Sequence, residues 1–258
     1  MEWGESCGNL FGIWGDWARI MFSSQLSQSF VYDLRQFCAT LSLEKNLKIT
    51  QKTDKTLVTQ VDHQLSLFCK NHPSALGFNF YSEEDHGELK FPALVVDPLD
   101  GTLELIAGRP ECAVSVAWLP SPDISQGHGV IFNPFTGFSL SSADSAPWKA
   151  KANTTNPVGM ISRTEWEKGL YQDKKAHLVP RGSIAFKLAL LASGTCDYVV
   201  SLRPKNIWDI AAGTLLCHQR DMEFWSAGKK VSSLDEEIYE APLIWSRPDL
   251  ISSLRAQF

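Results

Sequence analysis

The sequence predicts a layered protein with an α+β half, residues 1–152, followed by an α/β half, residues 153–258, and a cleft between the halves. Three observations lead to this fold class. Helical and extended patterns are mixed in the first half, they alternate in the second, and the polar segment Ala143–Pro157 between them carries two prolines. A chain of 258 residues, 44% of them hydrophobic, is long enough to bury a sizeable core.

The first half begins with a helical pattern over Met1–Phe37, whose aromatic side chains are expected to anchor it to the core. Its apolar stretch Leu10–Phe22 is too short and too interrupted to span a bilayer, and we expect an amphipathic helix there. A strand and turn follow at Leu47–Val61, and a helix at Gln64–Cys69. The remaining elements are expected strands, at Phe78–Tyr81, Ala93–Val96, Ala113–Leu119, Gly129–Phe132 and Phe135–Leu140.

The second half alternates strands with helices. Strands are expected at Val158–Ile161, His177–Val179 and Asp197–Val200. A helix follows Gly182-Ser183, with the sequence IAFKLALLASG, and its final glycine is a natural C-terminal stop. Asp209 opens a further helix, IAAGTLLCHQR.

Charge and cysteine content exclude several classes of protein. The net charge is -5, so there is no broad basic surface for a nucleic-acid polymer, and no membrane partner is expected. Six scattered cysteines form no C-x-x-C pair or Cys/His cluster. We therefore expect reduced core thiols in a cytoplasmic protein, without a disulfide or zinc framework. An acidic protein that acts on an anion must neutralise it locally, and bound cations do this naturally.

Two acids at the end of a buried strand are the most informative feature of the chain. The segment Val95–Leu105 reads VVDPLDGTLEL, in which Pro98 fixes its own φ and pushes Asp97 toward an extended conformation. Asp97 and Asp100 are therefore held at a set angle. Carboxylates in this arrangement are typical of a site for a divalent cation.

A glycine and a threonine follow the second acid and begin a short helix. Gly101 permits close approach of the backbone to a ligand, and Thr102 adds a hydroxyl group. Amides in the first turn of a helix lack partners within the helix, so they favour a phosphate. Taken alone, however, this segment is equally compatible with an ordinary surface turn, because Asp, Pro and Gly are common turn residues.

Four further features accompany this segment. They are the acidic turn SEED, Lys52 with the sequence TLVTQVD ending at Asp62, Arg181-Gly182-Ser183 before a helix, and IWDIAAG around Asp209. In this order and spacing, from about Lys52 to about Leu216, the motifs resemble the inositol monophosphatase family of magnesium-dependent, lithium-sensitive phosphatases. DPLDGT and WDIAAG are the most specific of them.

The resemblance implies a layered α/β/α/β/α sandwich of the sugar-phosphatase type, whose halves flank a metal-binding cleft and form one catalytic unit. It implies that residues 1–152 carry most metal ligands and that residues 153–258 supply Asp209 and substrate contacts. The implied metal ligands are Glu83, Asp97, the Leu99 carbonyl, Asp100 and Asp209. The implied catalytic residues are Asp62 and Thr102, which orient and deprotonate the attacking water, and Glu84 as a supporting acid. The implied substrate contacts are the amides of Gly101 and Thr102, then Ser183 and Ile184, with Lys205 meeting a second anionic group.

The activity expected from the resemblance is hydrolysis of a small phosphorylated polyol, such as an inositol monophosphate, by a metal-activated water. Two or three Mg²⁺ ions per site are implied, with Mn²⁺ as an alternative, and oxygen ligands suit both ions. The partner is a small phosphate ester, and since relatives often form homodimers, a homodimer is allowed.

Two alternatives remain open from the sequence. Leu103–Ile106 and Glu111, the glutamate of the sequence RPE, resemble the branch that hydrolyses 3'-phosphoadenosine 5'-phosphate, which favours a 3'(2'),5'-bisphosphate nucleotidase. The second alternative, from another class, is a module that binds metal and phosphate without turnover. Intact Thr102 and Asp62 argue against it.

Overall fold

The computed structural model describes residues 16–41, 49–51, 57–144 and 155–258. The predictions for Met1–Gly15 and Lys52, and the middle of the segment Ala143–Pro157, lie outside these residues. Helices are α1 (Asp16–Thr40), α2 (Gln60–Asn71), α3 (Thr102–Ile106), α4 (Arg163–Glu167), α5 (Ile184–Ala192), α6 (Ile207–His218) and α7 (Pro248–Gln257). Among the described residues, no helix has the length and apolar character needed to cross a membrane.

The strands of the first half are β1 (Ile49–Gln51), β2 (Leu57–Thr59), β3 (Asn79–Ser82), β4 (Ala93–Asp100), β5 (Ala113–Leu119), β6 (His128–Phe132) and β7 (Ser139–Ser141). Those of the second half are β8 (Val158–Ser162), β9 (His177–Arg181), β10 (Tyr198–Ser201), β11 (Lys205–Asn206), β12 (Glu223–Ser226), β13 (Lys229–Lys230), β14 (Ile238–Tyr239) and β15 (Leu243–Ser246). β1 pairs with β2, and β11 pairs with β14.

The first large sheet has the strand order β3-β4-β5-β6-β7, with β3 parallel to β4 and the other pairs antiparallel. Strand β4 is an almost unbroken apolar run because helices cover both faces of this sheet. Leu94 and Val96 belong to the core shared with α1 and α2. Ala93 and Val95, which point the other way, belong to the core shared with α5 and α6.

The second large sheet has the strand order β13-β12-β15-β10-β8-β9 and mixes parallel and antiparallel pairs. Its residues Val199 and Trp245 face the core shared with α5 and α6. Val200 and Ile244, on the opposite face, pack against α7. The order of layers is therefore α1 and α2, first sheet, α5 and α6, second sheet, α7, which confirms the predicted five-layer sandwich.

Two groups of elements differ from the sequence predictions. The strand expected at Phe135–Leu140 is mostly a turn, and only Ser139–Ser141 pairs with β6. The Asn133 side-chain oxygen accepts hydrogen bonds from the backbone amides of Phe135 and Thr136 at 3.0 and 3.1 Å. These bonds replace the hydrogen bonds that the two amides would donate to a neighbouring strand. After His218 the sequence predictions name no element, and the structure adds four short strands and α7 there.

Candidate active site

A β-bulge in β4 places Asp97 and Asp100 on the same face of the first sheet. Asp97 pairs with Ser115 and Asp100 with Ala113, so β4 has one residue more than β5 between these pairs. In a regular strand, residues three apart would point to opposite faces. The bulge corrects this, and both carboxylates point toward α6. The Leu99 side chain packs in the core on the opposite face, and its amide donates to Asp97 Oδ1 at 2.9 Å.

Helix α6 brings the third carboxylate to the same place. Asp209 lies in the first turn of α6, two residues after its start, and accepts a hydrogen bond from the Asn206 amide at 3.2 Å. Ser115 on β5 donates its hydroxyl to the Trp208 carbonyl at 3.2 Å, which ties α6 to the first sheet. One carboxylate oxygen each from Asp97, Asp100 and Asp209 lies within 4.8 Å of the others. The structure therefore assembles acids from both halves of the chain.

The electrostatics of this cluster favour a bound cation. Burial raises the pKa of Asp97 well above its usual range, and the charges of Glu83, Asp100 and Asp209 raise it further. Burial also raises the pKa of Asp209 to about 7, although the positive charge of Lys205 opposes the shift. Converging carboxylates that repel one another fit a hard dication such as Mg²⁺, because oxygen ligands and a compensating charge are what that ion requires.

The acidic turn after β3 adds further negative charge. The Glu83 amide donates to the Val96 carbonyl at 3.2 Å, so the turn lies against β4 one residue before Asp97. The charge of Glu83 raises the pKa values of both Asp97 and Asp209. The Glu83 carboxylate is not part of the group of oxygens within 4.8 Å, which Asp97, Asp100 and Asp209 form. Glu84 follows in the same turn and is half-buried.

Thr102 and Asp62 form a hydrogen-bonded pair next to the cluster. The Thr102 hydroxyl lies 3.0 Å from Asp62 Oδ1 and 3.2 Å from the Leu99 carbonyl oxygen. The other oxygen of Asp62 accepts hydrogen bonds from the amide and hydroxyl of Thr59, the residue that caps α2. Asp62 is 2% exposed, so its carboxylate is held in one orientation. Because the Thr102 hydroxyl donates only one hydrogen bond, its lone pairs remain able to accept a hydrogen bond from a water.

Gly101 is required by the backbone at the turn into α3. It has φ +99°, a conformation that side chains rarely adopt. A Cβ atom there would lie 2.9 Å from the Glu111 carbonyl oxygen. The turn therefore brings the Gly101 and Thr102 amides close to Asp100 without a side chain between them.

Three further predicted substrate contacts come from the second half of the chain. The Ser183 hydroxyl donates to Asp100 Oδ2 at 2.7 Å, so Ser183 contacts the cluster itself. The Ile184 side chain is buried in the core, so any substrate contact at this position would come from its backbone. Lys205 is half-buried on β11 beside Asp209.

Sequence reasoning missed an ionic network beside α3. Glu111 accepts hydrogen bonds from Arg163, from Arg181 at 2.8 Å and from the Gly182 amide at 2.8 Å, and these donors lower its pKa to about 2 against the opposing effect of burial. Glu104, also buried, pairs with Arg109 at 2.9 Å. The glutamate of the sequence RPE was visible as a signal, but its partners are distant in the chain.

Comparison with known proteins gives one family match and several distant relatives. A model of the inositol monophosphatase family matches residues 27–221. The 3'(2'),5'-bisphosphate nucleotidase CysQ of Buchnera aphidicola is 25% identical over 219 residues, covering 76% of this chain and 81% of that protein. The fructose-1,6-bisphosphatase of Pyrococcus furiosus is 30% identical over 191 residues, covering 68% of this chain and 71% of that protein.

The fold also matches solved structures. A crystal structure described as an IMPase/NADP phosphatase in complex with Mg²⁺ and phosphate has a TM-score of 0.70 and 14% sequence identity. The match covers 91% of this chain and 94% of that one. At this identity, the likeness concerns the fold.

Proposed function

The chain belongs to the inositol monophosphatase family, and from this premise we propose that it is a magnesium-dependent phosphomonoesterase that hydrolyses a small phosphorylated polyol, such as an inositol monophosphate. The observation that supports the proposal most is the convergence of Asp97, Asp100 and Asp209 within 4.8 Å. The hydrogen-bonded pair of Thr102 and Asp62 lies beside this cluster. A site for dications next to a proton acceptor is what hydrolysis by water requires.

The three clustered carboxylates, together with Glu83, would hold the ions. Glu83, Asp97, Asp100 and Asp209 offer four negative charges, and the Leu99 carbonyl offers a neutral ligand. When bound, Mg²⁺ supplies positive charge that makes water a better nucleophile and stabilises the leaving oxygen. The Gly101 and Thr102 amides would hold the phosphate at the start of α3.

The attacking water would give its proton to the Thr102 oxygen while the Thr102 hydroxyl proton moves to Asp62. The Thr102 hydroxyl donates its proton to Asp62 Oδ1, and its lone pairs accept a hydrogen bond from the water. Asp62 keeps its orientation because the amide of Thr59 donates to its other oxygen at 2.8 Å. Glu84 would support the charge balance at the edge of the site.

Phosphate release from inositol 1-phosphate tests the proposal. We expect turnover that requires Mg²⁺, stops with excess chelator and is inhibited by lithium. Asp97→Asn removes a buried carboxylate of the cluster and should reduce turnover by about 10²–10³-fold, as the loss of one preorganised electrostatic contact does. Asp249→Asn, which makes the same change at an exposed position at the start of α7, should leave turnover unchanged. Full hydrolysis in excess chelator would contradict the metal mechanism.

A 3'(2'),5'-bisphosphate nucleotidase is the second candidate, and two observations favour it. The Buchnera relative named above is such an enzyme. In addition, the side chains of Arg109 and Arg181 are 46% and 44% exposed beside α3, where guanidinium groups suit a second phosphate. Rates on inositol 1-phosphate, fructose 1,6-bisphosphate and 3'-phosphoadenosine 5'-phosphate, measured side by side, would separate these substrates.

A module that binds without turnover predicts a different result. Calorimetry would detect binding of metal and phosphate, but no substrate of the panel would release phosphate. The intact hydrogen bond between Thr102 and Asp62 argues against this function, because binding alone has no need of a proton acceptor.

A further inference from the structure

The turn before α5 surrounds a buried ammonium group. Lys187 is 2% exposed, and its Nζ lies 3.2, 3.2 and 2.9 Å from the carbonyl oxygens of Arg181, Gly182 and Ser183. An ammonium group has three donors, so these three carbonyls satisfy it completely. The side chain reaches back from the first turn of α5 and closes the backbone of residues 181–183 around its charge.

This turn has a conformation that needs support. Ser183 has φ +47°, which is uncommon for a residue with a Cβ atom. At Gly182 a Cβ atom would lie 2.2 Å from Glu104 Cγ, so the turn is also packed tightly against α3. Such backbone persists only where surrounding contacts determine it.

The turn orients Asp100. The Ser183 hydroxyl and the Ala185 amide both donate to Asp100 Oδ2, at 2.7 and 2.6 Å. The Phe186 amide in turn donates to the Ser183 oxygen at 2.9 Å, which fixes the hydroxyl. Two donors on one oxygen fix the orientation of the Asp100 carboxylate beside Asp97 and Asp209.

The turn is held from two sides. Glu111 accepts from the Gly182 amide at 2.8 Å, on the donor side of the backbone. On the acceptor side, the Lys187 ammonium group donates to the carbonyl oxygens of residues 181–183. The charge of Asp100 also acts on Lys187, partly opposing the fall in its pKa that burial causes, so the two groups are electrostatic neighbours.

We infer that Lys187 is a positioning residue for the metal site, because its ammonium group holds the 181–183 turn in the shape that directs two hydrogen bonds to Asp100. The inference rests on the proposed function in one respect, since it takes the Asp97, Asp100 and Asp209 cluster as a cation site. The three hydrogen bonds of the Lys187 ammonium group go to backbone carbonyls and not to the clustered carboxylates. Its effect reaches the site through Ser183 and Ala185.

Binding of Mn²⁺ to the full chain, measured by electron paramagnetic resonance without substrate, tests the inference. Lys187→Met keeps the length of the side chain and removes the charge, so Asp100 should lose its fixed orientation. We expect Mn²⁺ affinity to fall by about 10-fold or more, as is usual when a group that orients a metal ligand is lost. Lys174→Met is the matched control, because the Lys174 ammonium also donates to a backbone carbonyl, that of Gln257 at 2.7 Å, and it packs near Phe258. It should leave Mn²⁺ affinity unchanged.

Ser183→Ala provides a second measurement that does not depend on removing a buried charge. It removes one hydroxyl group, and it should also lower Mn²⁺ affinity. Combined with Lys187→Met, it should add little further loss, because both changes act on the same contact to Asp100.

The outcomes separate this inference from the proposed function. Unchanged Mn²⁺ affinity in the folded Lys187→Met protein, or in Ser183→Ala, would overturn the positioning role and leave the phosphatase proposal standing. Fully additive losses in the double variant would overturn it as well, since a purely structural lysine acts independently of Ser183. Failure of the unaltered chain to bind Mn²⁺ would overturn both.

Discussion

At the scale of single residues, the site depends on side chains that each have two roles. Asp100 accepts hydrogen bonds from Ser183 and Ala185 and also belongs to the carboxylate cluster. Thr102 donates to Asp62 while it begins α3. One contact fixes each side chain, and another contact serves the site. Substitutions at these residues should therefore show which side chains affect metal affinity and which affect only turnover.

Thr102→Val tests that separation. The substitution keeps the branched shape but removes the hydroxyl that would pass a proton to Asp62. Turnover should fall by about 10²–10⁴-fold, the usual contribution of a positioned proton acceptor. Mn²⁺ affinity should change little, because the side chain of Thr102 is not among the three clustered carboxylates.

Thr195→Val is the control for this change, since Thr195 is exposed and lies after α5. A Thr102→Val protein with normal turnover would remove the hydroxyl from the proton path. Equal losses of turnover and metal affinity would assign it a role in binding instead.

At the scale of elements, the distance between the acids depends on how α6 lies on the first sheet. Gly129 on β6 lets the α6 backbone approach closely, since a Cβ atom there would lie 2.5 Å from the Ala212 carbonyl oxygen. The Ser115 hydroxyl donates to the Trp208 carbonyl and fixes the start of the same helix. The helix carries Asp209, while the bulged strand β4 carries Asp97 and Asp100. Movement of α6 would therefore open the cluster.

Gly129→Ala tests this dependence. The added methyl group meets backbone, which cannot rotate away, so α6 should shift from the sheet. We expect the free energy of unfolding to fall by about 1–3 kcal/mol, as for other overpacked cores. Mn²⁺ affinity should fall as Asp209 moves from Asp97. Denaturant unfolding and Mn²⁺ titration would measure both effects.

Gly87→Ala is the matched control, because no atom lies within 4 Å of the added Cβ position. It should change neither quantity. If Gly129→Ala lowered stability without changing Mn²⁺ affinity, the contact between β6 and α6 would not set the geometry of the cluster.

At the scale of the whole molecule, the fold brings negative charges together before any cation binds. In the absence of a cation, burial and neighbouring carboxylates raise the pKa of Asp97, and burial raises that of Asp209 to about 7. Unfolded aspartates titrate near pH 3.9, about as in model peptides. Between these values the folded state binds more protons than the unfolded chain, so these two groups make the protein less stable as the pH rises.

Asp209→Asn should therefore stabilise the metal-free protein, and more at about pH 8 than at about pH 5, where Asp209 is already protonated. The variant must be compared with the unaltered chain at each pH, because His128 adds a pH dependence of its own to both proteins. Burial lowers the pKa of His128 to about 4, so this residue makes the folded state more stable as the pH rises toward about 6.5. Thermal unfolding in excess chelator at the two pH values measures the difference.

With added Mg²⁺ at about pH 8, the unaltered chain should become more stable than Asp209→Asn, because only the unaltered chain keeps all three clustered carboxylates. An Asp209→Asn protein that gains no stability over the unaltered chain at about pH 8 would contradict the raised pKa.

Much of the fold and part of the site could be predicted from local sequence. The apolar run of β4 and the strand β5 follow from residues that are adjacent in the chain, so their patterns survive without tertiary information. The same is true of the acids in DPLDGT and WDIAAG, the motifs by which the chain resembles the family whose model matches residues 27–221. The strands after His218, with two to four residues each, carry too little pattern to be recognised in this way.

The sequence by itself determined which residues carry the carboxylate oxygens that suit a hard cation, because side-chain chemistry and motif spacing are properties of the chain. Only the tertiary structure decided that Asp97 and Asp100 share a face, since a bulge depends on pairing with β5. It also decided that Asp209 meets them, and that Lys187 and Glu111 hold the turn beside Asp100. The physical reason is that these contacts join residues far apart in sequence, and burial of the two sheets against α5 and α6 fixes their geometry.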